Sequence, residues 1–224
     1  MYYFLVYDDE THTSYLNNLI NSINRYGPEF QLIRFHKNNI DHEFKLKNQN
    51  ILNLARGGGY WLWKPYIINN IMHKINDGDI VFYLDSKFYF IEPFTKLLYK
   101  LRLNDIIVWK NKPNEQIWNM KHWCKMDVIL KYNIYDKVFH ENAEDCWGGA
   151  IIIRKTNKTC LYIKEWLNMC TYENITDVPS VSINSNEFRE HRHDQSLLSI
   201  IIHKYNIPLH YFEKKYLQNI RSPY

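Results

Sequence analysis

Small side chains are scarce in this sequence, and so are long apolar segments. Only three alanines occur in 224 residues, against 18 tyrosines and 11 phenylalanines. No apolar run approaches the roughly 20 residues that a membrane-spanning helix needs. The N-terminal residues MYYFLVYDDE have no basic lead before their apolar stretch, which argues against a secretory signal peptide. We therefore expect a soluble, cytoplasmic protein without a transmembrane segment.

The sequence also has few cysteines and a low net charge. The four cysteines form no C-x-x-C pair, so the sequence shows neither a zinc-knuckle nor a thioredoxin-like redox motif. The formal net charge is +4, and the lysines and arginines are scattered along the chain. Dedicated nucleic-acid binders usually collect their basic residues in a stripe or patch. We therefore expect no nucleic-acid partner and at most one site for an anionic ligand.

Strand-like apolar runs alternate with helix-like periods along the whole chain. Predicted strands cover residues 2–7, 30–35, 80–84, 106–109, 148–154 and 208–212. Predicted helices cover residues 16–23, 60–74, 94–103, 158–170 and 193–205, with short helices in 114–139 and irregular structure in 36–50 and 173–188. This alternation predicts an α/β fold with a central, mostly parallel sheet flanked by helices. No linker interrupts residues 1–224, so we expect a single domain.

Acidic residues follow two of the predicted strands. Tyr7 and Asp8 end the first strand, and Asp85 follows the third and central strand, 80–84, with Ser86 and Lys87 after it. Ligands of open α/β sheets bind beyond the carboxyl ends of the strands. A carboxylate at the end of a buried strand loses hydration and needs a partner. We expect Asp85 to meet a metal, a base or a substrate hydroxyl; the alternative is an acid in a solvent-exposed turn.

A glycine triplet precedes the predicted helix 60–74. Arg56 lies directly before the glycines, and Lys64 lies in the first turns of the helix. Glycines allow close approach of the backbone, and the free N–H groups of a helix N-terminus bind anions. The pattern predicts a diphosphate held between Arg56 and Lys64. The alternative is a flexible hinge followed by an aromatic core helix.

One aspartate is a candidate for a general base on spacing alone. Asp194 lies at the start of the predicted helix 193–205, shares a helical face with Glu190 and has His193 beside it. A carboxylate near basic neighbours can accept a proton from a reacting hydroxyl. Acids are also common in the first helical turn for purely structural reasons. The spacing of the residues leaves both interpretations open.

Four segments together resemble the small GT-A-type glycosyltransferases that large DNA viruses and bacterial polysaccharide loci encode. The segments are RGGGYWLWKPYII (56–68), GDIVFYLDS (78–86), WGGAIIIRKT (147–156) and RHDQS (192–196). The resemblance covers roughly residues 2–210. It implies a Rossmann-like GT-A domain that moves a sugar from a nucleotide-sugar, with UDP-sugar as the default donor, to a glycan or another hydroxyl acceptor.

The resemblance also implies roles for individual residues. Tyr7 and Asp8 would meet the nucleotide base, Arg56 and Lys64 the diphosphate, and Asp85 the metal and sugar. An inverting transfer would need a base, for which Asp194 and Asp145 are the two candidates.

The sequence departs from the GT-A pattern at the acid pair D-x-D. This pair reads Asp85-Ser86-Lys87, with a base in place of the second acid. One possibility is that Asp85 alone holds Mn²⁺ or Mg²⁺, with the diphosphate supplying further oxygen ligands. The other is that Lys87 replaces part of the charge of the metal.

Two other function classes fit parts of the sequence. Asp79, Asp85 and Lys87 match the pattern of an acid upstream of D-x-K in metal-dependent nucleases. This hypothesis leaves segments 60–65 and 192–196 unexplained. A catalytically degenerate domain that binds a nucleotide-sugar or a carbohydrate is the second alternative, based on the missing second acid.

Overall fold

The computed structural model describes residues 1–8, 13–27, 29–110 and 118–219. The strands are β1 (Tyr2–Tyr7), β2 (Gln31–Phe35), β3 (Ile80–Leu84), β4 (Phe88–Phe90), β5 (Ile106–Lys110), β6 (Trp147–Arg154), β7 (Leu209–Tyr211) and β8 (Leu217–Asn219). Six of them form a central sheet in the order β2-β1-β3-β6-β5-β7, and β4 pairs with β8 in a separate two-stranded sheet.

The central sheet is mostly parallel, as predicted. β1 pairs in parallel with β2 and β3, and β5 pairs in parallel with β7. β6 alone runs in the opposite direction, antiparallel to both β3 and β5. The start of β6 therefore lies at the same edge of the sheet as the carboxyl ends of β1 and β3. This edge brings together segments that are far apart in the sequence.

Helices cover both faces of the sheet. They are α1 (Thr13–Tyr26), α2 (His42–Lys47), α3 (Gln49–Leu52), α4 (Gly57–Tyr60), α5 (Trp63–Lys74), α6 (Met120–Trp123), α7 (Met126–Lys131), α8 (Tyr135–Phe139), α9 (Asn157–Met169), α10 (Tyr172–Ile175) and α11 (Asp194–Lys204), with 3₁₀ segments at Lys37–Asn39 and Phe94–Arg102. α1 and the second 3₁₀ segment pack on one face, and α5, α9 and α11 pack on the other. The arrangement confirms the predicted α/β class.

β3 lies at the centre of the molecule because its side chains are apolar on both faces. All five residues of this strand are buried. Phe82 and Leu84 join the core beneath α1, whereas Val81 and Tyr83 join the core beneath α5. A continuous apolar run is the pattern expected of a strand with both faces covered. The strand therefore delivers the residue that follows it, Asp85, to the edge of the sheet.

Several local predictions differ from the structure. Residues 36–50, predicted to be irregular, contain α2 and α3, and the side chain of Asp41 caps α2 by accepting the Phe44 N–H at 2.7 Å. The predicted helix 94–103 is a 3₁₀ segment. The three-residue strands β4 and β8 are too short to show a period of two, so the sequence does not reveal their pairing. Among the described residues, no helix has the length and apolarity to span a membrane.

Candidate active site

A cavity of ≈ 320 Å³ lies at the edge where β3 ends and β6 begins. Its lining combines the segment around α4 and α5, the turn after β3, the start of β6 and the first residues of α11. The described lining residues are Arg56, Trp61, Lys64, Asp85, Lys87, Phe88, Trp118, Trp147, Gly149, Arg192, His193, Asp194 and Gln195. All four sequence segments singled out above therefore contribute to one cavity.

A buried lysine connects two carboxylates at this cavity. The ammonium of Lys64 lies 2.9 Å from Oδ2 of Asp194 and 3.9 Å from Oδ1 of Asp85. Lys64 and Asp194 are 4% and 3% exposed. Burial lowers the pKa of Lys64, but the two carboxylates outweigh this effect and hold the pKa above its usual value. The lysine is therefore charged at neutral pH.

The same pair sets the proton affinity of Asp194. Burial raises the pKa of Asp194 to about 6, and the ammonium of Lys64 opposes that rise. A carboxylate with a pKa near 6 is ionised at neutral pH but accepts a proton more readily than an ordinary aspartate. Its position at the first residue of α11 adds the favourable end of the helix dipole. Asp194 thus combines access to the cavity with the basicity of a proton acceptor.

Asp85 is held in place by β3 and β6. Its backbone N–H donates to the Gly149 carbonyl at 2.8 Å, and the Tyr83 hydroxyl donates to Oδ1 at 2.7 Å. A Cβ atom on Gly149 would lie only 2.6 Å from Oδ2 of Asp85, so β6 needs glycine at this position. Lys87 approaches Oδ2 from the other side, at 3.8 Å. Ser86 lies in the same turn but does not line the cavity.

The glycine triplet forms a left-handed turn. Positive φ angles run through residues 57–61 and include Tyr60 (51°) and Trp61 (58°). A left-handed conformation costs a residue with a Cβ atom about 1–2 kcal/mol. Gly59 also approaches the preceding helix closely, because a Cβ there would lie 2.7 Å from Cα of Leu52. Such strain at a cavity is typical of functional sites.

Contacts with the 176–193 segment stabilise the left-handed turn. The Tyr60 hydroxyl donates to Asp177 at 2.7 Å, and the Trp61 ring stacks on His193 with 5.5 Å between ring centroids. Arg56 pairs with Asp177 at 3.1 Å and with Glu190 at 3.4 Å. Arg56 therefore lines the cavity, as its predicted role requires, but its guanidinium is shared with two carboxylates.

Tyr7 and Asp8 lie at the same edge of the sheet but outside the cavity lining. The Tyr7 ring stacks on Trp63, with 3.7 Å between centroids and an interplanar angle of 14°. Asp8 pairs with Arg34 at 3.2 Å. Trp63 neighbours Lys64 in α5, which connects this aromatic stack to the cavity. The predicted contact of Tyr7 and Asp8 with a nucleotide base stays a prediction.

The other candidate base, Asp145, is buried behind Gln195. Its carboxylate accepts a short hydrogen bond from the Gln195 amide and another from the Ser199 hydroxyl at 2.8 Å. Burial raises the pKa of Asp145 to about 7. Asp145 does not line the cavity, whereas Gln195 does. The structure therefore separates the two candidates: Asp194 faces the cavity, and Asp145 orients a residue that faces it.

Trp118, Trp147 and Arg192 line one side of the cavity, which we call the aromatic wall. The rings of Trp118 and Trp123 stack with 5.4 Å between centroids, and the Arg192 guanidinium lies 4.4 Å from the centroid of Trp123. Trp147 packs against Phe212 at 4.6 Å. From the sequence, the tryptophan-rich stretch from Trp109 to Trp123 could either line an acceptor groove or fill the core, whereas Gln195 and Gly149 have no individual assignment. Gln195 and Gly149 do fall within the RHDQS and WGGA segments.

The donor set around Asp85 does not fit a divalent cation. Mg²⁺ and Mn²⁺ need several oxygen ligands, usually including carboxylates. Asp85 supplies one carboxylate, and two ammonium groups face it. Within the described parts of the chain, no group of three or more His, Cys, Asp or Glu side chains could hold a metal. The metal predicted at Asp85 stays a prediction that this donor set does not support.

The nuclease hypothesis is not favoured. Asp79 precedes β3 and Asp85 follows it, so the five residues of the strand separate them. At about 3.3 Å per residue this places the two acids roughly 20 Å apart, too far to share a metal. Oδ2 of Asp79 accepts the Asn76 N–H at 2.9 Å, which is the local pattern of a turn acid. Asp79 is therefore structural, and the D-x-K pattern does not assemble.

No protein-family model and no curated protein sequence matches this chain. Solved structures do resemble its fold. The bifunctional glycosyltransferase WbbM, in its apo form, superposes with a TM-score of 0.52 and 11% identity over 88% of this chain. This chain spans only 36% of the length of WbbM. The fold is of the GT-A type.

Two further structures are similar at lower scores. Mouse xyloside xylosyltransferase 1 matches with a TM-score of 0.49 and 10% identity, over 95% of this chain and 85% of its own. The galactosyltransferase LgtC, solved with donor and acceptor sugar analogues, matches with a TM-score of 0.44 and 15% identity, over 89% of this chain and 70% of its own. At these identities the likeness concerns the fold alone.

Proposed function

We propose that this protein is a glycosyltransferase that moves a sugar from a nucleotide-sugar, with UDP-sugar as the donor, to a hydroxyl group of a glycan. The observation that carries the proposal is the Lys64 ammonium between Asp85 and Asp194, in a cavity at the carboxyl edge of a GT-A sheet. Ligands of α/β sheets bind at this edge. The cavity offers cations for a diphosphate and a carboxylate for a reacting hydroxyl.

Expulsion of a nucleoside diphosphate develops negative charge on the leaving phosphate. Groups that are already oriented towards this charge lower the barrier. Lys64 and Lys87 line the cavity beside Asp85, and Arg56 lies at its rim on the left-handed turn. We assign these three side chains to the diphosphate. Tyr7 and Asp8 lie farther along the same edge of the sheet, in the position proposed for the nucleotide base.

The transfer needs an acceptor for the proton of the attacking hydroxyl. In the proposed step, the acceptor oxygen forms a bond to the anomeric carbon while the bond from that carbon to the diphosphate oxygen breaks. The hydroxyl proton passes to the carboxylate of Asp194, whose pKa of about 6 suits a base at neutral pH. Asp145 lies outside the cavity lining, so we assign it to the orientation of Gln195.

The tryptophans of the aromatic wall support a glycan as the acceptor. Trp118 and Trp147 both line the cavity, beside the Arg192 guanidinium. Flat indole rings offer apolar surface that can pack against the C–H face of a sugar ring, and the polar neighbours can bind its hydroxyls. We propose that the acceptor sugar lies between these tryptophans and Asp194.

The experiment that tests the function has two readouts. A thermal-shift panel of nucleotide-sugars identifies a donor, since a ligand that binds only the native state raises its melting temperature. Release of nucleoside diphosphate from that donor, with a panel of glycans, then measures transfer. Donor binding together with acceptor-dependent release supports the proposal. Stabilisation by none of the nucleotide-sugars would contradict it.

A catalytically degenerate binding domain is the second candidate, favoured by the lysine in place of the second acid of D-x-D. The same assay separates the two. Binding of the donor without release of nucleoside diphosphate, for every glycan tried and with Mn²⁺ present, would favour the degenerate domain.

A further inference from the structure

Positive charge faces both carboxylate oxygens of Asp85. The ammonium of Lys64 lies 3.9 Å from Oδ1, and the ammonium of Lys87 lies 3.8 Å from Oδ2. The Tyr83 hydroxyl also donates to Oδ1 at 2.7 Å. The carboxylate is thus enclosed by donors and cations, which is the environment of an ion-pair partner.

The backbone of β6 closes the remaining side of Asp85. The Asp85 N–H donates to the Gly149 carbonyl at 2.8 Å, and the missing Cβ of Gly149 would lie 2.6 Å from Oδ2. The backbone of Asp85 is therefore fixed against β6, and the Tyr83 hydroxyl orients its carboxylate through Oδ1. The carboxylate lies between the two ammonium groups, beside the cavity.

A divalent cation at this carboxylate would lie close to two like charges. Coulomb repulsion increases as the distance falls, and it is screened least where the charges are buried. Lys64 is 4% exposed, so its charge is poorly screened. Four of the described lining residues are Lys or Arg and two are Asp. Arg56 and Arg192 pair with Asp177 and Glu190, so Lys64 and Lys87 are the cations that face Asp85. The complementary ligand of this arrangement is a diphosphate without its metal.

We propose that the ammonium groups of Lys64 and Lys87 bind the donor diphosphate directly and that the protein needs no divalent cation for this binding. The inference rests on the proposed function. The side chain of Lys87 is 49% exposed, so its ammonium can approach a phosphate from the solvent side. Lys64 supplies the second charge from the buried side of the cavity, where Asp194 contacts its ammonium at 2.9 Å.

The test is titration calorimetry of the full chain with UDP as the probe, once in EDTA and once in Mn²⁺. We expect the same dissociation constant in both buffers, within a factor of about two. Lys87→Ala should weaken UDP binding by about 10- to 150-fold in EDTA, as expected for loss of a charge-assisted phosphate contact. Lys87→Arg should retain most of the affinity. Lys164→Ala removes an exposed lysine of α9 outside the cavity and serves as the matched control.

A gain-of-function variant makes the test sharper. Lys87→Asp places a second acid two residues after Asp85 and removes one of the two ammonium groups. We expect this variant to lose UDP binding in EDTA and to recover it in Mn²⁺, whereas the wild type is indifferent to the metal. Recovery by the metal also shows that the variant is folded.

The outcomes distinguish this inference from the function on which it rests. UDP binding by the wild type that disappears in EDTA and returns with Mn²⁺ would overturn the inference and leave the proposed function intact. Equal affinity of Lys87→Ala and the wild type in EDTA would also overturn it. Absence of UDP binding in both buffers would overturn both the inference and the proposed donor.

Discussion

Asp194 and Asp145 are two equally buried carboxylates on either side of one glutamine, and the structure gives them different surroundings. They are 3% and 1% exposed. Asp194 faces the Lys64 ammonium at 2.9 Å and lines the cavity. Asp145 accepts hydrogen bonds from the neutral groups of Gln195 and Ser199 and lies behind the lining.

The difference shows that burial alone does not identify a catalytic acid or base. Burial raises the pKa of both groups, to about 6 for Asp194 and to about 7 for Asp145. In Asp194 the ammonium of Lys64 opposes this rise, since a nearby positive charge favours the ionised form. The proton acceptor, Asp194, lines the cavity and has a charged partner, whereas the orienting group, Asp145, does not line the cavity.

The largest expected effect is that of Asp194→Asn. Loss of the proton acceptor should lower kcat by about 10²–10⁴-fold, with UDP affinity changed little. In the wild type, kcat should fall as the pH drops below about 6, because protonated Asp194 cannot accept a proton. Steady-state kinetics and calorimetry measure the two quantities.

Asp136→Asn is the matched control for this substitution, since the side chain of Asp136 is 85% exposed. A fully active Asp194→Asn protein would transfer the role of the base to Asp145 or remove the need for a protein base.

The next effect is that of Lys64→Met. Removal of the ammonium should weaken UDP binding by about 10- to 150-fold. It also leaves Asp194 buried without its cation, which should lower the free energy of unfolding by about 3–5 kcal/mol. Calorimetry and urea unfolding measure the two changes.

The double variant Lys64→Met/Asp194→Asn separates binding from stability, because it removes both charges of the buried pair. Part of the lost stability should return, whereas UDP binding should stay weak. Wild-type affinity of Lys64→Met for UDP would exclude Lys64 from the diphosphate site.

The strands around this site could be predicted because local runs of apolar residues in the sequence indicate that they are buried. The apolar run of β3 and the alternation of strands and helices predicted the sheet and the position of Asp85. The resemblance of four segments predicted that Lys64, Asp85 and Asp194 share a site, and all three line one cavity.

Other features were not predictable because they depend on distant contacts. Glycines allow positive φ at residues 57–59, but Tyr60 and Trp61 also adopt it, and there they contact Asp177 and His193. The ion pairs that Arg56 makes with the 176–193 segment likewise join residues more than 120 positions apart. Because β6 runs antiparallel to β3, its first residues reach the edge of the sheet where Asp85 lies. Local periodicity does not show the direction of a strand, so this placement could not be predicted.

Arg56→Ala should have a smaller effect than Lys64→Met. The guanidinium divides its charge between Asp177 and Glu190, so less of it is available to a phosphate. We expect UDP binding to weaken by about 10- to 30-fold, within the lower part of the range for one charge-assisted contact. Uridine, which has no phosphate, should bind as it does to the wild type. Equal losses for uridine and UDP would instead indicate that Arg56 only holds the left-handed turn in place.

The smallest expected effect on turnover is that of Asp145→Asn. Asparagine offers one side-chain acceptor in place of the two carboxylate oxygens, so it cannot accept from both the Gln195 amide and the Ser199 hydroxyl. The glutamine is then held less firmly, and kcat should fall by about 10-fold with UDP affinity unchanged. A loss as large as that of Asp194→Asn would reverse the assignment of the two residues.

The pH dependence of stability provides an independent measurement on the same variant. The folded-state pKa of Asp145, about 7, lies above its ordinary value of 3.8, so between these values the folded protein holds a proton that the unfolded chain has released. The contribution of Asp145 therefore makes the free energy of unfolding decrease as the pH rises from about 4 to about 7. Asparagine does not titrate, so the free energy of unfolding of Asp145→Asn should decrease less than that of the wild type over this range. Parallel curves for the two proteins, recorded by urea unfolding, would contradict the raised pKa of Asp145.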